Sequence, residues 1–221
     1  MQKSFDDLKK GYQSFGQHNT HANRSLMKDL AVDGQKPDVM VIACCDSRVD
    51  PAIILHTNPG DIFMVRNIAA IVPPFSENAA PDSTSAALEF GICFLKVKHL
   101  ILLGHSQCGG INALLEQNLT TTFIAPWVSV LEKNTTFQEY LTQQREAASK
   151  TQDNTNLVNA CTQEALHASY NNCLTFSWIK QRVEKKALAI HRWFFDIKQA
   201  SIFEYSTATK NYDPLRQPQN T

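Results

Sequence analysis

Three short, continuous apolar runs shape the first half of the chain: PDVMVIAC at residues 37–44, DIFMVRN at 61–67 and HLILLGH at His99–His105. None alternates as a half-exposed strand would, so each predicts a strand buried on both faces. A helical stretch over residues 83–96 separates the second run from the third. Buried strands alternating with helices restrict the fold to an α/β domain around a mainly parallel sheet. LAIHRWFFDI at 188–197 and SIFEYS at Ser201–Ser206 predict two more strands, and the tight turn between them makes them antiparallel. The expectation is a mainly parallel sheet of about five strands with an antiparallel edge strand, flanked by helices.

Two helices are predicted ahead of this sheet, over residues 4–15 and 23–31, with Asp33-Gly34 as the stop signal of the second. They form an N-terminal helical arm, residues 1–33, before a single α/β domain, residues 34–221. Within that domain helices are predicted over 110–117, 137–150 and 157–185, with a polar stretch at 151–156. The polar tail after Thr207 is expected to be irregular.

Composition bounds the partners. The chain has 221 residues, with 21 Lys+Arg balanced by 21 Asp+Glu. That balance lacks the basic excess of a nucleic-acid binder, so a small or neutral ligand is the better fit. No run approaches the ~18 apolar residues of a membrane span. The N-terminal residues carry neither a secretory apolar stretch nor the acid-poor composition of a transit peptide, so a cytoplasmic location is expected. The six cysteines are then expected to stay reduced, and Cys93, Cys161 and Cys173, with helical neighbours, are expected to be core thiols. The adjacent pair Cys44-Cys45 is also too strained to bridge with itself.

Chemistry concentrates in ACCDSRVDP, residues 43–51, and GHSQCGG, residues 104–110. The first lies at the carboxyl end of the first strand, the second at that of the third. Open α/β sheets bind ligands at such ends, where strand order reverses. One crevice thus receives Cys, His and Cys, a set known for catalytic zinc with a fourth position open. Alone, either motif is matched by ordinary strand-end residues, since buried thiols are common and mostly inert; two motifs at neighbouring strand ends favour the metal. Cys44 and Cys45 alternate in direction, so only one of them enters the crevice, and spacing alone does not say which. Asp46 and Arg48 fall on one side and can pair, which would keep the carboxylate ionised and aimed. A surface salt bridge of little energetic value is the bland alternative.

Together these stretches resemble the β-class carbonic anhydrases, the plant-type branch most closely. GQKP at 34–37, PGDIFMVRNIAAIVP at 59–73, residues 85–111 and residues 174–197 extend the resemblance over most of the chain from Gly34 onward. It implies that Cys44, His105 and Cys108 bind one Zn²⁺, with Cys45 as a spacer. It implies that Asp46 and Arg48 are the catalytic dyad. It assigns substrate contacts to Gln35, to an apolar wall of Phe63 and Phe90, and to the backbone N–H of Gly109. Two positions depart from the family pattern: Ala70 replaces an amide, and Cys45 adds a thiol. Where some members carry a tryptophan that helps the aspartate close onto zinc, this chain has Val41, so an open resting site is expected.

The implied activity is zinc-dependent, reversible hydration of CO₂ to bicarbonate. Two thiolates already neutralise Zn²⁺, so activity is expected to rise toward alkaline pH. CS₂ or COS hydrolysis on the same scaffold, a non-enzymatic zinc module and a thiol–disulfide protein on Cys44-Cys45 are the alternatives. The intact dyad and Gln35 argue against the second, and the missing C-x-x-C against the third. His18, His21, His56, His99, His167 and His191 could carry protons by chemistry, although packing or solvation explains each as well. The arm's apolar faces (Phe5, Leu8, Tyr12, Phe15; Leu26, Leu30) need a partner surface, and the family packs such helices across a two-fold axis. A homodimer or dimer of dimers is therefore expected.

Overall fold

The structure is a computed structural model that describes residues 3–18, 21–78, 80–115, 120–148 and 155–215. Two helices come first, α1 (Phe5–His18) and α2 (His21–Asp33). Gly34 stops α2: its N–H reaches the Leu30 carbonyl at 3.0 Å, and its φ of 72° is the left-handed turn that glycine takes without penalty. Then follow β1 (Val39–Cys44), the short α3 (Pro51–Ile54) and β2 (Ile62–Asn67). Next are α4 (Ser83–Glu89), β3 (His99–His105), α5 (Gly109–Leu115), α6 (Ile124–Val128) and α7 (Thr135–Ala148). The chain closes with α8 (Thr155–Cys173), α9 (Ser177–Glu184), β4 (Ala189–Asp196), β5 (Ser201–Ser206) and β6 (Asn211–Pro214).

These strands form one sheet in the order β2-β1-β3-β4-β5-β6. The β1, β2, β3 and β4 pairings are parallel, and β4–β5 and β5–β6 are antiparallel. From β1 the chain steps outward to β2, then crosses back to place β3 on β1's other side. That reversal opens a crevice at the carboxyl ends of β1 and β3.

The sheet is buried on both faces at β1 and β3, where Met40–Cys44 and Leu100–Leu103 are apolar at every position. Met40, Ile42, Leu100 and Leu102 pack with Leu166, Phe176 and Ile179 from α8 and α9. Val41, Ala43, Ile101, Leu103 and Phe195 line the other face. A further core joins α5, α7 and α8 around Ile111, Phe137, Leu141 and Cys161, and Cys44 and Cys108 belong to it. The crevice therefore has an apolar floor.

Four details differ from the sequence reading. The helix expected over 83–96 is regular only to Glu89, then widens into a π-type turn at Phe90–Phe94. This segment lies so close to the sheet that a Cβ on Gly91 would stand 2.7 Å from Met40 Sδ. Cys93, on that turn, is exposed rather than a core thiol. The helix expected over 157–185 is two helices. Thr175 breaks it, because its hydroxyl donates to the Asn172 carbonyl at 2.6 Å and accepts the Phe75 N–H at 2.8 Å. The tail after Thr207 is not irregular throughout: after a turn, β6 adds a sixth strand, its Tyr212 hydroxyl donating to the Gln163 carbonyl at 3.2 Å. A four-residue edge strand ending in proline carries too little pattern to be seen in sequence.

Where α8 meets β4, Arg192 lies between the rings of Tyr170 and Tyr205, 4.4 and 4.0 Å from their centroids, and donates to His167 Nδ1 at 2.6 Å. Burial, reinforced by the Arg192 charge, pushes His167 from its usual 6.5 down to about 4. His167 is thus neutral in the fold, and its contribution to stability is complete above pH ~6.5 and lost as pH falls toward 4. His167→Gln, which keeps an acceptor for Arg192, should lose about 2 kcal/mol less than wild type between pH 7 and pH 4, after allowance for partial solvent screening. Urea unfolding at the two pH values measures this; equal losses would remove His167 from the account.

Candidate metal centre

Cys44 ends β1, His105 ends β3, and Cys108 sits in the turn just before α5. All three are buried, and their donor atoms lie within 4.8 Å of one another. The two sulfurs are 4.0 Å apart. Cys45 is exposed, so the strand's alternation sends only Cys44 inward.

The electrostatics of the pair follow from that spacing. The contact with Cys108 holds the Cys44 thiol well below its usual range, against the opposing effect of burial, and backbone N–H groups of Asp46 and Ala69 help. The same contact, with burial, drives Cys108 upward. Two buried sulfurs this close share a proton rather than both ionising, so a second thiolate needs a cation beside it.

His105 completes the set. Its Nδ1–H donates to the Ser106 carbonyl at 2.9 Å, which leaves the lone pair on Nε2. Among the described residues that Nε2 is buried without a hydrogen-bond partner, an arrangement costing about 1–3 kcal/mol unless something fills it. An orphaned imidazole nitrogen aimed at two thiols is the donor chemistry of a tetrahedral zinc site with one position open.

Asp46 stands beside this cluster, its Oδ2 3.9 Å from His105 Nε2. Arg48 grips both carboxylate oxygens, from Nε to Oδ1 at 3.0 Å and from Nη2 to Oδ2 at 2.7 Å, and its backbone N–H adds 2.9 Å to Oδ1. These bonds, the side-chain ones foremost, hold the Asp46 carboxyl far below the usual carboxylate range. Arg48 Nη2 also reaches the Gln107 carbonyl at 3.3 Å, which ties the two motifs together.

Several supporting residues escaped the sequence reading. Arg66 donates to the Cys44 carbonyl at 2.9 Å, the Asp46 carbonyl at 2.7 Å and Asp50 Oδ2 at 3.2 Å. Asn67 bonds Ile71 in both directions, at 2.9 and 2.8 Å. It thereby braces a turn in which Ala69 and Ala70 hold φ of 64° and 54°. Two adjacent alanines there cost about 1 kcal/mol or more each. Trp127 Nε1 fixes the same turn through the Ile68 carbonyl at 2.8 Å. Asn159 receives the Gln107 N–H at 2.8 Å, and Ser106 Oγ receives the Ile197 N–H at 2.9 Å. The signals for Arg66 and Asn67 were a polar pair closing an apolar strand and their place in the stretch at 59–73 that carries the resemblance.

The remaining residues of interest fall elsewhere. Gly109 opens α5 directly after Cys108, and a Cβ there would meet open space. Gln35 is exposed ahead of the amino end of β1. Phe63 pairs with Met40, four positions before the Cys44–Asn67 pair, or about 13 Å along the sheet. Phe90 is 46% exposed and lies 5.7 Å from Phe63, with Phe94 stacked on it at 5.8 Å. One chain therefore leaves Gln35, Phe63 and Phe90 apart from its own cysteines.

Gly110 distinguishes packing from openness at this site. A Cβ on it would stand 2.6 Å from Ile68 Cγ2 and 3.0 Å from Ala69 Cβ. Gly110→Ala should displace the turn whose Ala69 N–H supports Cys44 and cost about 1–3 kcal/mol, whereas Gly109→Ala should stay within ~0.5 kcal/mol. Thermal unfolding of the two variants checks this, and equal stabilities would contradict it.

A family model described as carbonic anhydrase matches residues 39–202, a span holding both motifs. Beta carbonic anhydrase 5, chloroplastic, of Arabidopsis thaliana is 34% identical over 195 residues, covering 87% of this chain. The present chain spans only 62% of that protein's length. Among solved structures, the β-carbonic anhydrase CcaA superposes with a TM-score of 0.82 at 28% identity, over 95% of this chain and 98% of that one. The tetrameric β-carbonic anhydrases of the filamentous ascomycete Sordaria macrospora give 0.77 at 30% identity, over 90% and 95%. With the matched span carrying the buried Cys44–His105–Cys108 cluster and the Asp46–Arg48 pair, the chain belongs to the β-class carbonic anhydrase family.

Proposed function

We propose that the chain catalyses the reversible hydration of CO₂ to bicarbonate and a proton, with one Zn²⁺ held by Cys44, His105 and Cys108. The observation that carries this reading is the buried, unpartnered His105 Nε2 facing two thiols, beside a carboxylate clamped by an arginine. A bound zinc would supply the Lewis acidity that brings the pKa of water toward neutrality.

The chain's own residues then do the positioning. Asp46, kept ionised by Arg48, accepts a hydrogen bond from water and orients it. Arg48 anchors both of its oxygens and leaves lone-pair capacity on Oδ2, so Asp46 would stand beside a bound metal as an acceptor, with the fourth position left open. The Gly109 N–H orients product oxygens at the start of α5. A second copy of the chain supplies the apolar wall, Phe63 and Phe90, together with Gln35. Two features support that assembly: the exposed Phe90 and Phe94, and the α1 stripe of Phe5, Leu8, Tyr12 and Phe15, each more than half exposed in the single chain. CO₂ is apolar, so an aromatic wall that excludes water suits it.

Stopped-flow CO₂ hydration with metal analysis, on wild type and Asp46→Asn, tests the reading. Both should carry about one zinc per chain, and the variant should lose activity by about 100-fold or more. Wild type should sediment as a dimer or larger. A fully active, zinc-loaded Asp46→Asn, or an active monodisperse monomer, would contradict it.

A further inference from the structure

At the opposite end of the sheet, near the amino ends of β3 and β4, two more histidines meet. His99 Nδ1 lies 3.1 Å from His191 Nε2. His191 Nδ1 lies 2.8 Å from Glu204 Oε1. An ionised carboxylate only accepts, so Nδ1 of His191 is the donor and its Nε2 carries the lone pair. His99 is exposed, and the His191 and Glu204 side chains are 29% and 36% exposed, so solvent reaches all three. A groove of about 900 Å³, lined in part by His191, Glu204 and Asp213, opens beside them.

The charges nearby leave room for a cation. Lys98 is paired with Asp38 at 3.0 Å. Arg192 also lines the groove, but its guanidinium is held between Tyr170 and Tyr205 and on His167 Nδ1. The donor spacing also fits an ion: two imidazole nitrogens about 2.0–2.1 Å from one metal stand ~2.9 Å apart at a right angle and ~3.4 Å apart at a tetrahedral one. The observed 3.1 Å lies between. The Glu204–His191 contact is the carboxylate–histidine arrangement that fixes the tautomer of a metal ligand.

We propose that His99 and His191 form a second site for a borderline divalent ion of the zinc, nickel and copper class. Glu204 orients His191, and water from the groove completes the coordination. The ion takes the place of the proton shared by the two rings: His99 shifts its proton from Nδ1 to Nε2, so neither ring changes charge. This site is independent of the reaction at the Cys44 centre.

Calorimetric titration of Zn²⁺ into the zinc-loaded protein tests the proposal. Wild type should take up one further equivalent per chain. His191→Gln and His99→Gln should each lose it, and Glu204→Gln should bind at least tenfold more weakly. His99→Gln, at an exposed position, keeps the test open if His191→Gln fails to fold. The Trp193 ring is 6.3 Å from that of His191, so Ni²⁺ should quench tryptophan fluorescence, and Trp193→Phe should remove the quenching. No further equivalent, or one that survives in His99→Gln and His191→Gln, would overturn the proposal and assign any binding to other surface groups.

Discussion

Two buried sulfurs 4.0 Å apart cannot both be thiolates unless a cation lies against them. Much of the surrounding structure becomes intelligible from that constraint. The lone pair of His105 is directed inward because Ser106 takes the other ring proton. Backbone N–H groups of Asp46 and Ala69 approach one sulfur, and those of Gly110 and Ile111 the other. The N–H groups favour negative charge on sulfur, and the inward lone pair favours a cation beside it; a cluster of neutral thiols needs neither.

The sheet brings these atoms together through its order. β1 and β3 are parallel neighbours, but the chain visits β2 between them, so their carboxyl ends form a crevice. The turns that fill the crevice are held in costly conformations. Ala69 and Ala70 stay left-handed because Asn67 and Trp127 fix the turn's carbonyls and amide. Gln107, at φ 55°, stays so while its N–H is held by Asn159 from α8. Left-handed residues occur elsewhere in the chain too, but in these two turns, beside the donor atoms, dedicated side-chain hydrogen bonds offset the strain.

The fold was legible wherever burial imposed a simple period. PDVMVIAC and HLILLGH are apolar at successive positions because both sheet faces are covered, and the strands stand where those runs predict them. The alternation rule separated Cys44 from Cys45 in principle, and the buried and exposed thiols follow it. What escaped was short or non-local. Thr175 interrupts a helix through an N–H donated by Phe75, 100 positions earlier. The strand at Asn211–Pro214 exists because Tyr212 finds a carbonyl on α8. Arg66 and Asn67 look like an ordinary polar pair until their partners at Cys44, Asp46 and Ile71 are seen. Gln35, Phe63 and Phe90 gain a purpose at the site only if a second chain is placed against the first.

The proposed metal is held by two sulfurs and one imidazole nitrogen. X-ray absorption at the zinc edge of the protein measures that shell directly. The predicted spectrum has two sulfurs at about 2.3 Å, one nitrogen at about 2.0–2.1 Å and one further light atom. Conversion of Cys44 or Cys108 to serine should remove one sulfur from it. A shell containing no sulfur, or an active protein from which zinc is absent, would contradict the account.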